Sequence, residues 1–271
     1  MSQTIAFIGA GNMSAAIIGG LVQQGVDPKS IIASNRSTGK LEALASKYGI
    51  RVTPDNREAA QADVVVLSVK PQMMKAVCQD LKPVMPHKPL IVTVAAGIDV
   101  ASYEAWLGKE KAIVRCMPNT PSLVGMGASG LFANANVSAA QRSSVDAIMS
   151  AVGITAWVEQ ESLINAVIAV SGSGPAYYFL MMESMIEAGM AQGLSRETAK
   201  ALTFQTVAGA AKLAADADVE VDELRRRVMS PGGTTEQAVQ SFESDNIREI
   251  FSRAMTRCAS RAVEMAKEMG N

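Results

Sequence analysis

The most constraining feature of the sequence is a short apolar run that ends in glycine and turns at once into a helical pattern. Ile5-Ala-Phe-Ile8 reads as a buried strand. Gly9-Ala10-Gly11-Asn12-Met13-Ser14 reads as the turn, and a helix follows from about Asn12 to Gln24, stopped by Gly25. Gly9 permits the tight turn, and Gly11 lets the backbone approach a bound group with no Cβ in the way. The amides at the helix start carry partial positive charge and suit a phosphate. The third position of such turns is usually Gly or Ala; here it is Ser14, still a small residue. A glycine pattern alone is weak, but between a strand and a helix it predicts a dinucleotide site.

The rest of the first half repeats that alternation. Ile31–Ala33, Arg51-Val52, Val64–Val69, Leu90–Val94 and Ala112–Arg115 read as strands, with a helix across Lys40 to Tyr48. Near-continuous apolar strands separated by helices predict a parallel sheet covered on both faces. Ser129–Ala133 and Thr155–Val158 are candidate edge strands, and Ser138-Ala-Ala-Gln141 is a capping box opening the helix between them. After about Glu159 the strand signal stops. Helical periodicity continues to the end, interrupted at Ser171–Gly174 and Ser230–Gly233. Ser195 caps a long helix through Ala215, Thr234-Thr-Glu-Gln237 is a second capping box, and Asp245 opens the last helix, Asn246 to Met269. The expected organisation is an α/β, Rossmann-like doubly wound domain over residues 1–160 and an all-α domain over 161–271.

Composition narrows the classes. With 48% hydrophobic and 19% charged residues, the chain can bury a large core. The 25 basic and 26 acidic residues leave a net charge of -1, so no basic surplus points to nucleic acid. Three cysteines, Cys78, Cys116 and Cys258, form no CxxC pair, which argues against zinc and disulfide frameworks and for reduced thiols. Met1-Ser2-Gln3-Thr4 carries no basic residue and is not read as a signal peptide. No apolar stretch reaches the roughly 20 residues of a membrane helix. A cytoplasmic protein with no membrane partner is expected.

The end of the second strand reads the cofactor. An NAD site places a carboxylate there. Ser34-Asn35-Arg36-Ser37 holds no acid, and an Arg fork with hydroxyl donors attracts a 2′-phosphate. Lys40 adds charge nearby. NADP(H) is therefore favoured, with NADH the second candidate. Ligands lie beyond the carboxyl ends of the strands. Those ends carry Ser68-Val69-Lys70-Pro71, Ala95-Ala96-Gly97 and Cys116-Met-Pro-Asn119-Thr-Pro121. Lys70 is either a structural cap or a neighbour of the nicotinamide. Asn119 offers both a donor and an acceptor.

The usual parts of hydrolytic catalysis are missing. His87 is the one histidine, in a polar turn, and reads as an exposed structural residue. Metal-ligand spacing of the HExxH kind is absent, and no metal is expected. An imine reductase needs little more than orientation, because a protonated imine already draws hydride. Ser171-Gly-Ser-Gly-Pro175 and Ser230-Pro-Gly-Gly-Thr-Thr235 are glycine-hydroxyl turns leading into helices. Each is either a small anion site or an ordinary helix break.

Taken together, Phe7–Met13, Val69-Lys-Pro-Gln72, Arg115–Pro121, Ser171–Tyr177 and Ser230–Thr235 resemble the pyrroline-5-carboxylate reductase family along essentially the whole chain. Cys116 stands where an aliphatic residue is expected. The resemblance implies hydride transfer to the C=N bond of 1-pyrroline-5-carboxylate, giving L-proline in the last step of its biosynthesis. It implies that Gly232, Gly233 and Thr234 hold the substrate carboxylate by their amides and that Thr235 meets the ring nitrogen as the catalytic hydroxyl. Ser173, Gly174 and Pro175 would shape the opposite wall. Gly9, Gly11, Asn12, Met13, Ser34, Asn35, Arg36, Ser68, Val69, Lys70, Ala95, Ala96 and Asn119 would line the cofactor. The helical region would pair two copies of the chain, with larger oligomers in some members.

Overall fold

The computed structural model of the chain describes residues 3–269. Met1 and Ser2, part of the leading segment read above, lie outside the described residues, as do Gly270 and Asn271. Eight strands form one sheet: β1 Ile5–Ile8, β2 Ile31–Ser34, β3 Arg51–Thr53, β4 Val64–Leu67, β5 Leu90–Thr93, β6 Ile113–Met117, β7 Gly127–Ala133 and β8 Gly153–Trp157. Their order is β3-β2-β1-β4-β5-β6-β7-β8. All neighbours run parallel except β6 and β7. The first six strands therefore have the 3-2-1-4-5-6 order of dinucleotide-binding sheets. Both further strands are present, but only β8 lies at the edge; β7 is paired on both sides, with β6 and β8.

Both faces of the sheet are buried, which explains the unbroken apolar strands. Ile5, Phe7, Val64 and Val66 face one core, built with Ile17, Ile18 and Leu21 of α1 (Asn12–Gln23), Leu41 and Leu44 of α2 (Thr38–Tyr48), and Val145 and Ile148 of α6 (Ala139–Met149). Ala6, Ile8, Val65 and Leu67 face the other. That core is completed by α3 (Asn56–Ala59), by Met74, Val77 and Leu81 of α4 (Pro71–Leu81), and by Tyr103, Trp106 and Leu107 of α5 (Val100–Leu107). Alternate residues of one strand thus serve two cores. The capping box opening α6 is formed: Ser138 accepts from the Gln141 amide, and Gln141 accepts from the Ser138 amide.

From Glu161 on, the structure is helical: α7 Ile164–Val167, α8 Gly174–Ala191, α9 Arg196–Asp216, α10 Val221–Arg227, α11 Thr234–Ser244 and α12 Ile247–Met269. Ser195 caps α9 by accepting from the Thr198 amide. The expected interruption at Ser171–Gly174 is present: Ile168–Gly172 widens into a π turn and Ser173 is a bend before α8 opens at Gly174. Three other expectations change. Glu161–Ala191 as a whole is a helical run long and apolar enough to meet the measure of a membrane span, although no such stretch was expected. Thr234 does not cap α11, because Gly233 holds the N-cap position without a side-chain bond. Asp245 ends α11, and Asn246, at φ +58°, makes the turn into α12.

The described residues pack as two units. One holds the chain up to Ser173 together with the residues from Cys258 on; the other is Gly174–Arg257. In the second unit α8 and α9 form a hairpin whose turn uses Gly193 at φ +101°. Only Gly174, Ala199 and Thr203 are buried there, while Phe179, Leu180, Leu202, Phe204 and Leu213 are exposed.

Candidate active site

The strand order reverses between β1 and β4, and the turns after these strands close on each other. Gly9 has φ +106°, and a Cβ there would lie 2.8 Å from the Ser68 carbonyl oxygen. Only glycine fits that position. Gly9 N–H donates to Ser34 O, and Ser68 N–H to Ile8 O, which locks the three strand ends together. The hydroxyl of Ser14, fully buried, donates to Gly9 O at 2.6 Å. Ser at the third position therefore braces the turn from within.

Gly11 is the N-cap of α1 and makes no side-chain cap. A Cβ built on it would meet nothing within 4 Å. Its backbone is extended, which any residue adopts, so the missing side chain leaves open space in front of the first-turn amides. Exposed Asn12 and half-buried Met13 flank that space. An open cradle before a helix start, with no acidic residue in the first turn, fits a pyrophosphate.

At the end of β2, Ser34 is buried and its hydroxyl donates to Asn56 Oδ1 at 2.7 Å. Asn35 donates to Ser37 O at 3.3 Å. Arg36 and Lys40 are exposed and stand free to meet an anion. Asn56, at the first position of α3, escaped the sequence reading. Its one signal is an Asp-Asn pair just past the third strand. Beyond β4, Ser68 and Val69 are half-buried, and exposed Lys70 is the N-cap of α4. Beyond β5, Ala95 and Ala96 are half-buried, and the Ala95 amide donates to Thr93 Oγ1. The Tyr103 hydroxyl meets the same Thr93 oxygen at 2.6 Å, and burial holds that phenol well above its ordinary pKa.

Asn119 is nine-tenths buried. Its Nδ2 donates to Ser171 O at 3.0 Å, and its Oδ1 accepts from the Ala128 amide at 2.9 Å. Ser173 follows the π turn, with its hydroxyl 3.2 Å from Cys258 Sγ. Gly174 begins α8, and Pro175 sits in its first turn, where the missing N–H costs nothing.

The second glycine-hydroxyl turn lies between α10 and α11. Gly232 has φ +72°. Its amide donates to Glu236 Oε2 at 2.7 Å, and the Gly233 amide donates to Ser230 O at 2.9 Å. Thr234 and exposed Thr235 are the first two residues of α11, so their amides belong to the helix start. The flanks are tied by ion pairs: Glu243 accepts from Arg225 at 3.0 Å and from Arg248 at 2.6 Å. Among the described residues, no three His, Cys, Asp or Glu side chains are grouped to hold a metal. His87 is exposed, with Nε2 3.2 Å from Ala62 O.

A doubly wound sheet with an open glycine cradle at its switch point, followed by helices, defines a dinucleotide-binding protein. Comparison with known proteins agrees. Residues 4–97 match the family described as NADP oxidoreductase, coenzyme F420-dependent, and residues 161–265 match pyrroline-5-carboxylate reductase dimerisation. A pyrroline-5-carboxylate reductase from Pseudomonas aeruginosa is 54% identical, covering 98% of each chain. The structure of one from Coxiella burnetii superposes with a TM-score of 0.96 at 48% identity, covering 98% of this chain and 99% of that one. A Plasmodium falciparum pyrroline carboxylate reductase with NADP bound gives 0.86 at 29% identity, covering 98% of each. The chain belongs to the pyrroline-5-carboxylate reductase family.

Proposed function

We infer that this protein reduces the C=N bond of 1-pyrroline-5-carboxylate to give L-proline, using NADP(H), in the last step of proline biosynthesis. The observation that carries this reading is the 54% identity across 98% of the chain, which spans both glycine-hydroxyl turns. When bound, the reduced nicotinamide supplies the hydride. The chain's own contribution is placement, because a protonated imine is already electrophilic. Gly9 shapes the turn with its own amide held by Ser34 O, and Gly11, Asn12 and Met13 present amides to the pyrophosphate. Arg36, with Ser34 and Asn35 behind it, meets the 2′-phosphate, and Ser68, Val69, Lys70, Ala95 and Ala96 line the remainder of the cofactor.

Gly232, Gly233 and Thr234 hold the substrate carboxylate, and Ser173, Gly174 and Pro175 form the facing wall. In this structure the Gly232 amide is taken by Glu236 Oε2 and the Gly233 amide by Ser230 O, so a substrate carboxylate bound there displaces these partners. The Thr235 hydroxyl hydrogen-bonds the ring nitrogen and assists its protonation. Residues 1–160 thus serve the dinucleotide, and 161–271 serve substrate binding and pairing.

Self-association follows from burial. A unit with three buried residues and a row of exposed Phe, Leu and Met has no core of its own. A groove of about 640 Å³ between α8 and α9, lined by Phe179, Met182, Ile186, Phe204 and Val207, is where a second copy would seat. The same pairing accounts for the apolar run Glu161–Ala191 without a membrane. Cytoplasmic location is the reading that suits a soluble enzyme family with bacterial relatives.

Steady-state assays with 1-pyrroline-5-carboxylate and each nicotinamide test the proposal. Turnover of that imine, and not of small 2-keto acids, is expected; saturable NADPH binding without turnover would reduce the protein to a cofactor-binding one. Thr235→Ala should lower kcat more than tenfold while NADPH binding stays near normal. Unchanged kinetics would remove Thr235 from the mechanism.

A further inference from the structure

The side chain of Asn119 is committed to the protein in a way that neither its sequence position nor a cofactor role explains. In a regular helix the Ser171 carbonyl would accept from the amide four residues on. That residue is Pro175, which has no N–H. The chain also leaves α geometry here: the Ser173 amide bonds back five residues to Ile168 O at 2.8 Å, within the π turn Ile168–Gly172. Such turns are rare and occur disproportionately at functional sites. Asn119 Nδ2 supplies the donor that Pro175 lacks, at 3.0 Å from Ser171 O. Its Oδ1 holds the Ala128 amide at the start of β7, so the amide cannot rotate without losing both bonds.

A second contact joins the same two segments. A Cβ on Gly172 would lie 3.0 Å from Met117 Cε, at the end of β6. The exit of β6 therefore meets the segment running into Ser173 through two side chains, Asn119 and Met117, each set against its backbone.

We propose that Asn119 is a positioning residue for the substrate wall. It anchors the π turn to the sheet and so sets where Ser173 stands, acting on substrate through it rather than lining the cofactor itself. The proposal rests on the reading of Ser173–Pro175 as that wall.

The experiment uses the full-length chain with Asn119→Asp, Asn119→Ala and, separately, Ser173→Ala. Asn119→Asp is nearly isosteric and keeps the acceptor for Ala128, but it has no N–H for Ser171 and sets a carboxylate against a carbonyl. The readouts are KM and kcat for 1-pyrroline-5-carboxylate, Kd for NADPH by fluorescence in the absence of substrate, and melting temperature. Both Asn119 variants should raise KM for the imine at least fivefold while NADPH Kd stays within twofold. A rise in NADPH Kd matching the rise in KM would make Asn119 a cofactor ligand and overturn the proposal. So would a drop in melting temperature with KM unmoved, in either variant. If Ser173→Ala raises KM and Asn119→Asp does not, the coupling fails and the wall stands. If Asn119→Asp raises KM and Ser173→Ala does not, the wall reading fails instead.

Discussion

Arg115 Nη1 lies 2.6 Å from Glu161 Oε1, and Arg115 is 7% exposed. The same carboxylate oxygen accepts from the Val100 amide at 2.7 Å, at the first position of α5. One side chain just past β8 thus ties β6 to the helix that follows the Ala95–Gly97 loop. Removing one partner of a buried pair leaves the other charge unpaired, which costs about 3–5 kcal/mol. Glu161→Ala should destabilise by an amount near the lower end of that range, since Glu161 keeps some water contact. Glu161→Gln should lose less, because its carbonyl oxygen still accepts from Val100. Urea unfolding of the two variants checks this; equal loss would mean that the hydrogen bond to α5 contributes little.

The two glycines of the cradle are there for different reasons, and substitution should separate them. Gly9→Ala places a Cβ against the Ser68 carbonyl at positive φ, so it should lower both the melting temperature and NADPH affinity. Gly11→Ala meets nothing in the protein, so the melting temperature should stay within about 2 °C, since surface substitutions seldom exceed about 0.5 kcal/mol. NADPH Kd should still rise more than tenfold. Thermal melts beside fluorescence titrations measure both.

Arg36 is exposed and free at the end of β2, with no acidic residue between it and Ser34. A charge-assisted hydrogen bond to phosphate contributes about 1.5–3 kcal/mol. Arg36→Ala should therefore weaken NADPH about ten- to a hundredfold and NADH far less. Equal loss for both nicotinamides would place the 2′-phosphate elsewhere.

Asp63 accepts from both the amide and the hydroxyl of Thr4, at 2.8 Å each. These bonds, the amide first, hold its carboxyl below the ordinary 3.8. A depressed pKa stabilises the fold above the unfolded value, and that contribution is lost as pH falls through the folded one. Asp63→Asn should thus lower stability at pH 7 and flatten the loss of stability below about pH 4. Urea midpoints between pH 2.5 and 7 test it; parallel curves for both proteins would show that Asp63 makes no pH-linked contribution.

Much of this was legible because it is local. The β1–turn–α1 unit, the capping box opening α6 and the strand runs are set by residues within a few positions of one another, and hydrophobic periodicity records which faces must be buried. The second capping box failed for a local reason as well: Glu236 turned back to the Gly232 amide, and Gly233 took the cap position. The break at Ser171–Gly174 was legible from its glycines and proline, but its form was not: the π turn and the Asn119 donor to Ser171 O belong to tertiary structure.

What the sequence determined alone was the doubly wound sheet, the glycine cradle and the all-helical second half, since each rests on backbone preferences and on which residues avoid water. The tertiary structure decided who satisfies whom. Asn56 reaches Ser34, Glu161 reaches Arg115 and Val100, and Asn119 reaches Ser171 and Ala128, all across distant stretches of chain. A buried polar group must find a partner, but its own neighbours in sequence do not say which; that choice exists only once the sheet has brought the candidates within reach.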